Sequence, residues 1–320
     1  MKTIITSKVT KTAKIITLGT SSGVMTLKRA CSSYIVQPNQ SSDLILVDCG
    51  EGTQLQLQKA KISLFDIKTI VVTHLHGDHF YGIFGILKGM GFGAERKSKL
   101  TLIAPKALKK IIETVHYHPL NPLIEFKAIE DYKDEETITI TRDFNISSIR
   151  LKHRVPSWGF IFESNKKSSK LNMERLELFK IPKGKAWGYI QARDLDGMKS
   201  LGYTDMTLDD IESFMIPKEK VKFAISGDNA NPRLWKKVKN LSVLVHESTY
   251  TNKDLLKVGK KPQHSSAGLV AEFAEEYGLK TLILSHFSKR YTSMKAIGNE
   301  ASKYYRGDLH LANDLDGFEI

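Results

Sequence analysis

Cysteine is scarce in this chain of 320 residues, with Cys31 and Cys49 alone. Two thiols without C-x-x-C spacing exclude a disulfide framework and a cysteine metal site, and point to a reducing cytoplasm. Long apolar runs are also missing. None approaches the roughly 18 residues of a membrane span, so no membrane association is expected. Acidic residues are absent before Asp43, and Lys2, Lys8, Lys11 and Lys14 interrupt the N-terminus, which carries no secretory pattern. Internal repeats, heptads and low-complexity tracts are lacking too, which removes solenoids and coiled coils.

What remains is a composition of 41% hydrophobic and 26% charged residues, enough to build a substantial core over 1–320 as a single domain. The formal charge of +13 attracts polyanions at long range. Its distribution is uneven: Lys166, Lys167, Lys170, Arg175, Lys180, Lys183, Lys185 and Arg193 face only Glu174 and Glu177 between 165 and 193. The surrounding stretch, about 165–205, contains Pro182, Gly184, Gly188, Gly197 and Gly202 and few apolar runs. It reads as a small basic arm protruding from the main body.

Elsewhere, short β-branched runs recur: "KIITLGT", "SSYIVQ", "DLILVDCG", "TIVVT", "KLTLIA", "SSIRLK", "WGFIFES", "VKFAIS", "LSVLV" and "TLILS". These read as strands. Between them "FYGIFGILKGM", "PKALKKIIETVHYH", "SSAGLVAEFAEEYG" and "SMKAIGNEASKYY" space apolar residues three and four apart, as helices do. Strands and helices mix without strict alternation, so the fold class is α/β, and two sheets faced by helices fit better than one parallel sheet.

Metal-ligand residue types collect at strand ends. "TIVVT" runs into His74, "SIRLK" into His153, "VKFAISG" into Asp228, "LSVLV" into His246 and "TLILS" into His286. Ends of distant strands converge on one rim of a sheet, where a rigid scaffold assembles a site. The densest group, His74, His76, Asp78 and His79, has the spacing H-x-H-x-D-H. With His153 and His286 added, these are too many donors for one ion, so two are expected, with Asp228 offering one oxygen to each. Two adjacent metals are a common device for hydrolysing phosphodiesters. Their ligand types favour zinc, and manganese accepts the same donors. His116 and His118 lack carboxylate company and read as surface, and so does His310.

"THLHGDH" with His153, Asp228 and His286 resembles the metallo-β-lactamase superfamily, whose αβ/βα sandwich carries metals at one edge. "LGTSSGV", "VDCGEGTQLQL", "HESTY", "HSSAGLVAEFA" and "LSHFSKRY" narrow the resemblance to the short tRNase Z family, from about Thr17 to Tyr291. That resemblance implies a zinc endoribonuclease that removes the 3′ trailer of precursor tRNA and leaves a 3′ hydroxyl. It assigns His74, His76 and His153 to one Zn2+ and Asp78, His79 and His286 to the other, with Asp228 between them. Asp78 would also hold or deprotonate the attacking water, and His264 with its partner Glu247 would serve the departing oxygen. Arg290 would clamp a phosphate, and Lys183 and Lys185 would belong to a flexible arm that grips the tRNA elbow. A homodimer is implied, one arm presenting tRNA to the partner's site.

The chain departs from the family at two places. Lys185 follows Gly184 where the family has proline, and Met25, Leu27 and Ala30 replace the proline, lysine and asparagine of a loop associated with sensing the CCA end, while Arg29 remains. The alternative on the same scaffold is a small-molecule phosphodiesterase, which needs no arm.

Overall fold

The computed structural model describes residues 3–5, 12–39, 41–91, 99–116, 120, 122–165, 169–217, 220–259 and 263–320. Two sheets dominate. The larger runs Thr3–Ile5, Gly317–Glu319, Ala13–Gly19, Ser33–Pro38, Leu44–Val47, Ile67–Val71, Leu100–Ala104 and Ile124–Ala128, the last four parallel. The smaller runs Asp308–Leu311, Thr281–Ser285, Val243–Glu247, Lys222–Ile225, Ser157–Ser164, Phe144–Leu151 and Thr137–Ile140, the first four parallel.

The unbroken apolar runs of the sequence follow from burial on both faces, which parallel strands require. Alternate residues divide between layers. Ile15, Val36, Val47 and Val71 of the larger sheet meet Phe160, Phe223, Val245 and Ile283 of the smaller in one core. Their neighbours Ile16, Ile35, Leu46 and Ile70 turn outward against Leu57, Ile83, Ile86 and Leu108. Those four come from helices Thr53–Lys59, Ile83–Gly89 and Ala107–His116. On the other flank Leu244, Leu282 and Leu284 pack against Val270 and Phe273 of helix Ala267–Tyr277 and Ile297 of helix Lys295–Tyr304. The layers are therefore helix, sheet, sheet, helix. Between the sheets Phe223 stacks on Phe162 at 5.1 Å and meets Phe144 edge-on at 5.5 Å. Truncating one such buried ring costs about 3–5 kcal/mol.

This sandwich comprises Met1–Glu163 with Val221–Ile320, and Ser164–Lys220 forms a second compact unit. The glycine-bearing stretch read as an arm is not plain loop. It holds helices Met173–Leu178, Lys185–Ala192, Leu195–Ser200 and Leu208–Ser213 and the strand pair Ser169–Leu171 with Met215–Pro217. Its own core is Leu176, Ile181, Ala186, Ile190, Met198, Ile211, Phe214 and Met215, with Trp187, Tyr189 and Tyr203 among the partly buried residues packed against it. Among the described residues no helix is long and apolar enough to cross a membrane. His118 and the side chain of His116 lie outside the described residues; His310, expected at the surface, is half-buried, its Nε2 2.8 Å from Asp308 Oδ1 and its ring 5.4 Å from that of Phe318.

Candidate metal centre

The functional side chains leave the C-terminal ends of parallel strands: Asp48 after Leu44–Val47, His74 after Ile67–Val71, Asp228 after Lys222–Ile225, Glu247 at the end of Val243–Glu247, and His286 after Thr281–Ser285. In open α/β sheets this edge is where ligands gather. His153 follows the antiparallel strand Phe144–Leu151. His76 is in extended backbone, and the short helix Gly77–Phe80 then turns Asp78 and His79 back toward His74. Two close approaches permit this packing. A Cβ on Gly50 would lie 2.1 Å from the Asp78 carbonyl oxygen, and one on Gly227 would lie 2.6 Å from that of Trp158 and 2.7 Å from Thr73.

Hydrogen bonding fixes the imidazole tautomers. The Thr73 hydroxyl donates to Asp48 at 2.9 Å, so at 3.0 Å it accepts from His74 Nδ1. Thr249 donates to Glu247 at 2.5 Å and accepts from His286 Nδ1 at 3.0 Å. His79 Nδ1 donates to Asp48 at 2.6 Å, and His153 Nδ1 to the Gln263 carbonyl at 2.8 Å. Each of these rings therefore carries a proton on Nδ1 and turns Nε2 inward.

The inward atoms form two groups around Asp228. Its Oδ2 lies 3.6 Å from both His74 Nε2 and His153 Nε2, which are 3.2 and 3.0 Å from His76 Nδ1. Its Oδ1 lies 3.4 Å from His79 Nε2 and 3.3 Å from His286 Nε2. These two nitrogens face each other at 3.2 Å, and Asp78 Oδ2 is 3.7 and 3.4 Å from them. Lone pairs pointing at lone pairs across such distances repel unless a cation stands among them. The donor set fits metal ions of the nitrogen- and oxygen-binding kind.

Electrostatics divide the ligands: burial pulls His79 down, but Asp228, Asp48 and Asp78 outweigh it and push it well up, a proton that a bound cation would displace, whereas His74 and His76 are lowered. Burial pushes His74 well down and, with the neighbouring His153, lowers His76 to about 4, keeping both neutral as ligation requires. Burial raises the Asp78 carboxyl, but His79 and His286 outweigh it and hold the group well below its ordinary range. Asp48 and His286 both adopt left-handed backbone, each with φ 57°. Non-glycine residues in that region tend to sit at functional sites.

Beside these groups His264 Nδ1 is 3.1 Å from both Glu247 oxygens and 3.5 Å from Asp228. Glu247 is fixed in turn by the Asn229 backbone N–H at 2.8 Å. Burial pulls His264 down, yet Glu247 and Asp228 overcome it and push it up to about 9. His246 is excluded from the cluster: its ring nitrogens engage Asn229 Nδ2 and the Glu247 carbonyl.

The structure thus brings together His74, His76, Asp78, His79, His153, Asp228, His286, Glu247 and His264. Arg290 lies at the margin, its guanidinium carbon 4.7 Å from the centre of the Tyr250 ring. Lys183 and Lys185 are exposed in the second unit. Sequence reasoning did not single out Asp48, Thr73 or Thr249. Asp48 carried a readable signal, since it ends the run "DLILV" as His286 ends "TLILS".

The altered loop also reaches the centre: the Gly23 N–H donates to Asp78 Oδ2 at 2.6 Å. Leu27 is fully exposed and Met25 more than half so. Arg29 turns inward instead, donating to Thr20 at 2.5 Å, the Ala312 carbonyl at 3.1 Å and Asn313 at 3.2 Å. A cavity of about 730 Å³ lies beside the loop, lined by Leu27, Lys28, Phe287, Lys289, Tyr291 and Asn313 among others.

Comparison with known proteins adds the following. The family model described as Anti-Pycsar protein Apyc1 matches residues 13–170. A ribonuclease Z of Pseudomonas putida (strain W619) is 34% identical over 316 residues, 95% of each chain. One from Marinobacter nauticus is also 34% identical, again over 95% of each. Among solved structures, the short form of human tRNase Z is 21% identical with a TM-score of 0.64, covering 96% of this chain and 99% of that one.

Proposed function

Because the chain belongs to the ribonuclease Z family, it is an endoribonuclease of tRNA 3′ processing, and we propose that the cluster around Asp228 is its catalytic centre. The observation that carries this reading is the convergence of inward lone pairs on the two oxygens of Asp228, with a buried His–Glu pair alongside. We assign two Zn2+, with Mn2+ acceptable to the same donors. His74, His76 and His153 would hold one, Asp78, His79 and His286 the other, and Asp228 both. When bound, the ions supply Lewis acidity toward the phosphodiester and make a water acidic enough to attack.

The protein's own groups do the rest. Asp78, steadied by the Gly23 N–H, orients the attacking water and accepts its proton. Glu247 takes the Nδ1 proton of His264 in a hydrogen bond, which leaves Nε2 to carry the proton given to the departing 3′ oxygen. The tRNA keeps a 3′ hydroxyl and the trailer a 5′ phosphate.

Ser164–Lys220 serves as the arm, with Lys183 and Lys185 contacting phosphates of precursor tRNA without reading sequence. The working form is a homodimer in the cytoplasm. A small-molecule phosphodiesterase is not favoured, since the ribonucleases Z match along 95% of the chain.

Cleavage of a 3′-extended precursor tRNA by zinc-loaded protein tests the reading. One cut after the discriminator base is expected, with Asp78→Ala slower by at least about 10²-fold. Undiminished turnover by that variant would remove Asp78 from the mechanism, and an uncut precursor would remove the reading.

A further inference from the structure

Outside the metal ligands and the Glu247–His264 pair, the Tyr250 ring lies near His264 and carries the Arg290 guanidinium. Tyr250 comes three residues after Glu247, and its backbone is tied to the His264 segment: Tyr250 N–H donates to the Ser265 carbonyl at 3.4 Å and Ala267 N–H to that of Tyr250 at 2.8 Å. Its ring stands 6.1 Å from that of His264, steeply inclined at 74°. Arg290 covers it at 4.7 Å.

The hydroxyls of Tyr34, Tyr277, Tyr291 and Tyr305 are all engaged in hydrogen bonds. That of Tyr250 has no hydrogen-bond partner among the described residues. Nor does the guanidinium of Arg290 or of Arg154, both exposed, pair with a carboxylate among the described residues. By contrast Arg233 pairs with Glu272 and Glu276. Arg154 follows His153, whose ring lies 5.1 Å from that of His264, so its backbone stands next to the same group that Tyr250 faces. Tyr291 fixes the Arg290 side, accepting from Thr251 N–H at 2.9 Å and donating to Asp254 at 2.7 Å. Guanidinium groups outside ion-pair reach of a carboxylate, and a hydroxyl with no partner, are the donors that a phosphate takes.

The direction of the reaction selects the phosphate. If His264 serves the departing 3′ oxygen, the nucleotide bearing that oxygen lies on the His264 side, and its own 5′ phosphate is the next anion along the retained strand. We propose that Tyr250, Arg154 and Arg290 clamp the phosphate one nucleotide 5′ of the scissile bond, so that the last nucleotide of the tRNA is held while its 3′ oxygen departs. This rests on the assignment of His264 above. Tyr250 has two parts in it: the hydroxyl donates to the phosphate, and the ring holds Arg290 in place.

The test compares precursor tRNA bearing either a native phosphate or an uncharged methylphosphonate at that linkage, cleaved by wild type, Tyr250→Phe and Arg154→Ala. The neutral linkage is expected to lower wild-type kcat/KM about tenfold, and each substitution to lower it about tenfold on the native substrate, as for loss of one charge-assisted phosphate contact. Combining either substitution with the neutral linkage should cost less than about a further twofold, because the contact is already gone. Losses that multiply, or variants that cleave the native precursor like wild type, overturn the clamp. Hydrolysis of bis(p-nitrophenyl) phosphate, which has no neighbouring linkage, should be unchanged in both variants; a parallel fall would mean that the residues act on the metal centre and would equally overturn it. Failure of wild type to cut either precursor would remove the ribonuclease reading and the clamp with it, whereas cutting that ignores the neutral linkage removes the clamp alone.

Discussion

Around Asp228 the polar side chains are buried and bonded to one another: Asp48 alone takes the Thr73 N–H, the Thr73 hydroxyl and the His79 ring N–H. In the Ser164–Lys220 unit a handful of apolar side chains is enclosed while Lys180, Lys183 and Lys185 stand in solvent. The two regions use charge oppositely. In the first, each group owes its protonation state and direction to a neighbour, so one substitution disturbs several others. In the second, each lysine would act alone on a mobile anion through water, so substitutions should subtract nearly independently.

The sharpest way to break this contrast is at the buried pair. His264→Ala should lower kcat by about 10²-fold or more, the usual worth of a positioned proton donor. Glu247→Gln sharpens it further. His264 works as an acid only while protonated, so activity should fade as pH rises through its raised value of about 9. Glu247 is the foremost charge raising it, so in Glu247→Gln that alkaline loss should begin at lower pH, visible in kcat–pH profiles of the two proteins. An unmoved alkaline limb would detach His264 from the proton transfer.

The lysines should give the smaller effect. Replacing both Lys183 and Lys185 with Ala is expected to raise KM, leave kcat at saturating tRNA near wild type, and reduce the slope of log affinity against log salt by about two. A loss in kcat with unchanged salt dependence would mean that the second unit acts other than by phosphate contact.

The same contrast explains what could be read in advance. Strands buried on both faces announce themselves as unbroken runs such as "TLILS", and metal ligands are residue types foreign to such runs, so His286 stands out at once. Asp48, Thr73 and Thr249 were harder because each is an ordinary residue whose role lies in a partner: Thr249 matters through His286 and Glu247. The helices of the second unit were missed as helices for another reason. Each spans six to eight residues and contributes only one or two buried side chains, as Ala186 and Ile190 do in Lys185–Ala192, too few to show a period. Tyr250 was visible only as part of "HESTY"; its unpaired hydroxyl is a property of the folded chain.

The most direct test of the two-ion centre is anomalous diffraction at the zinc edge from crystals of the active, zinc-loaded protein. Two peaks are predicted on either side of Asp228, one among His74, His76 and His153 and the other among Asp78, His79 and His286. A single peak, or peaks held by other residues, would contradict it.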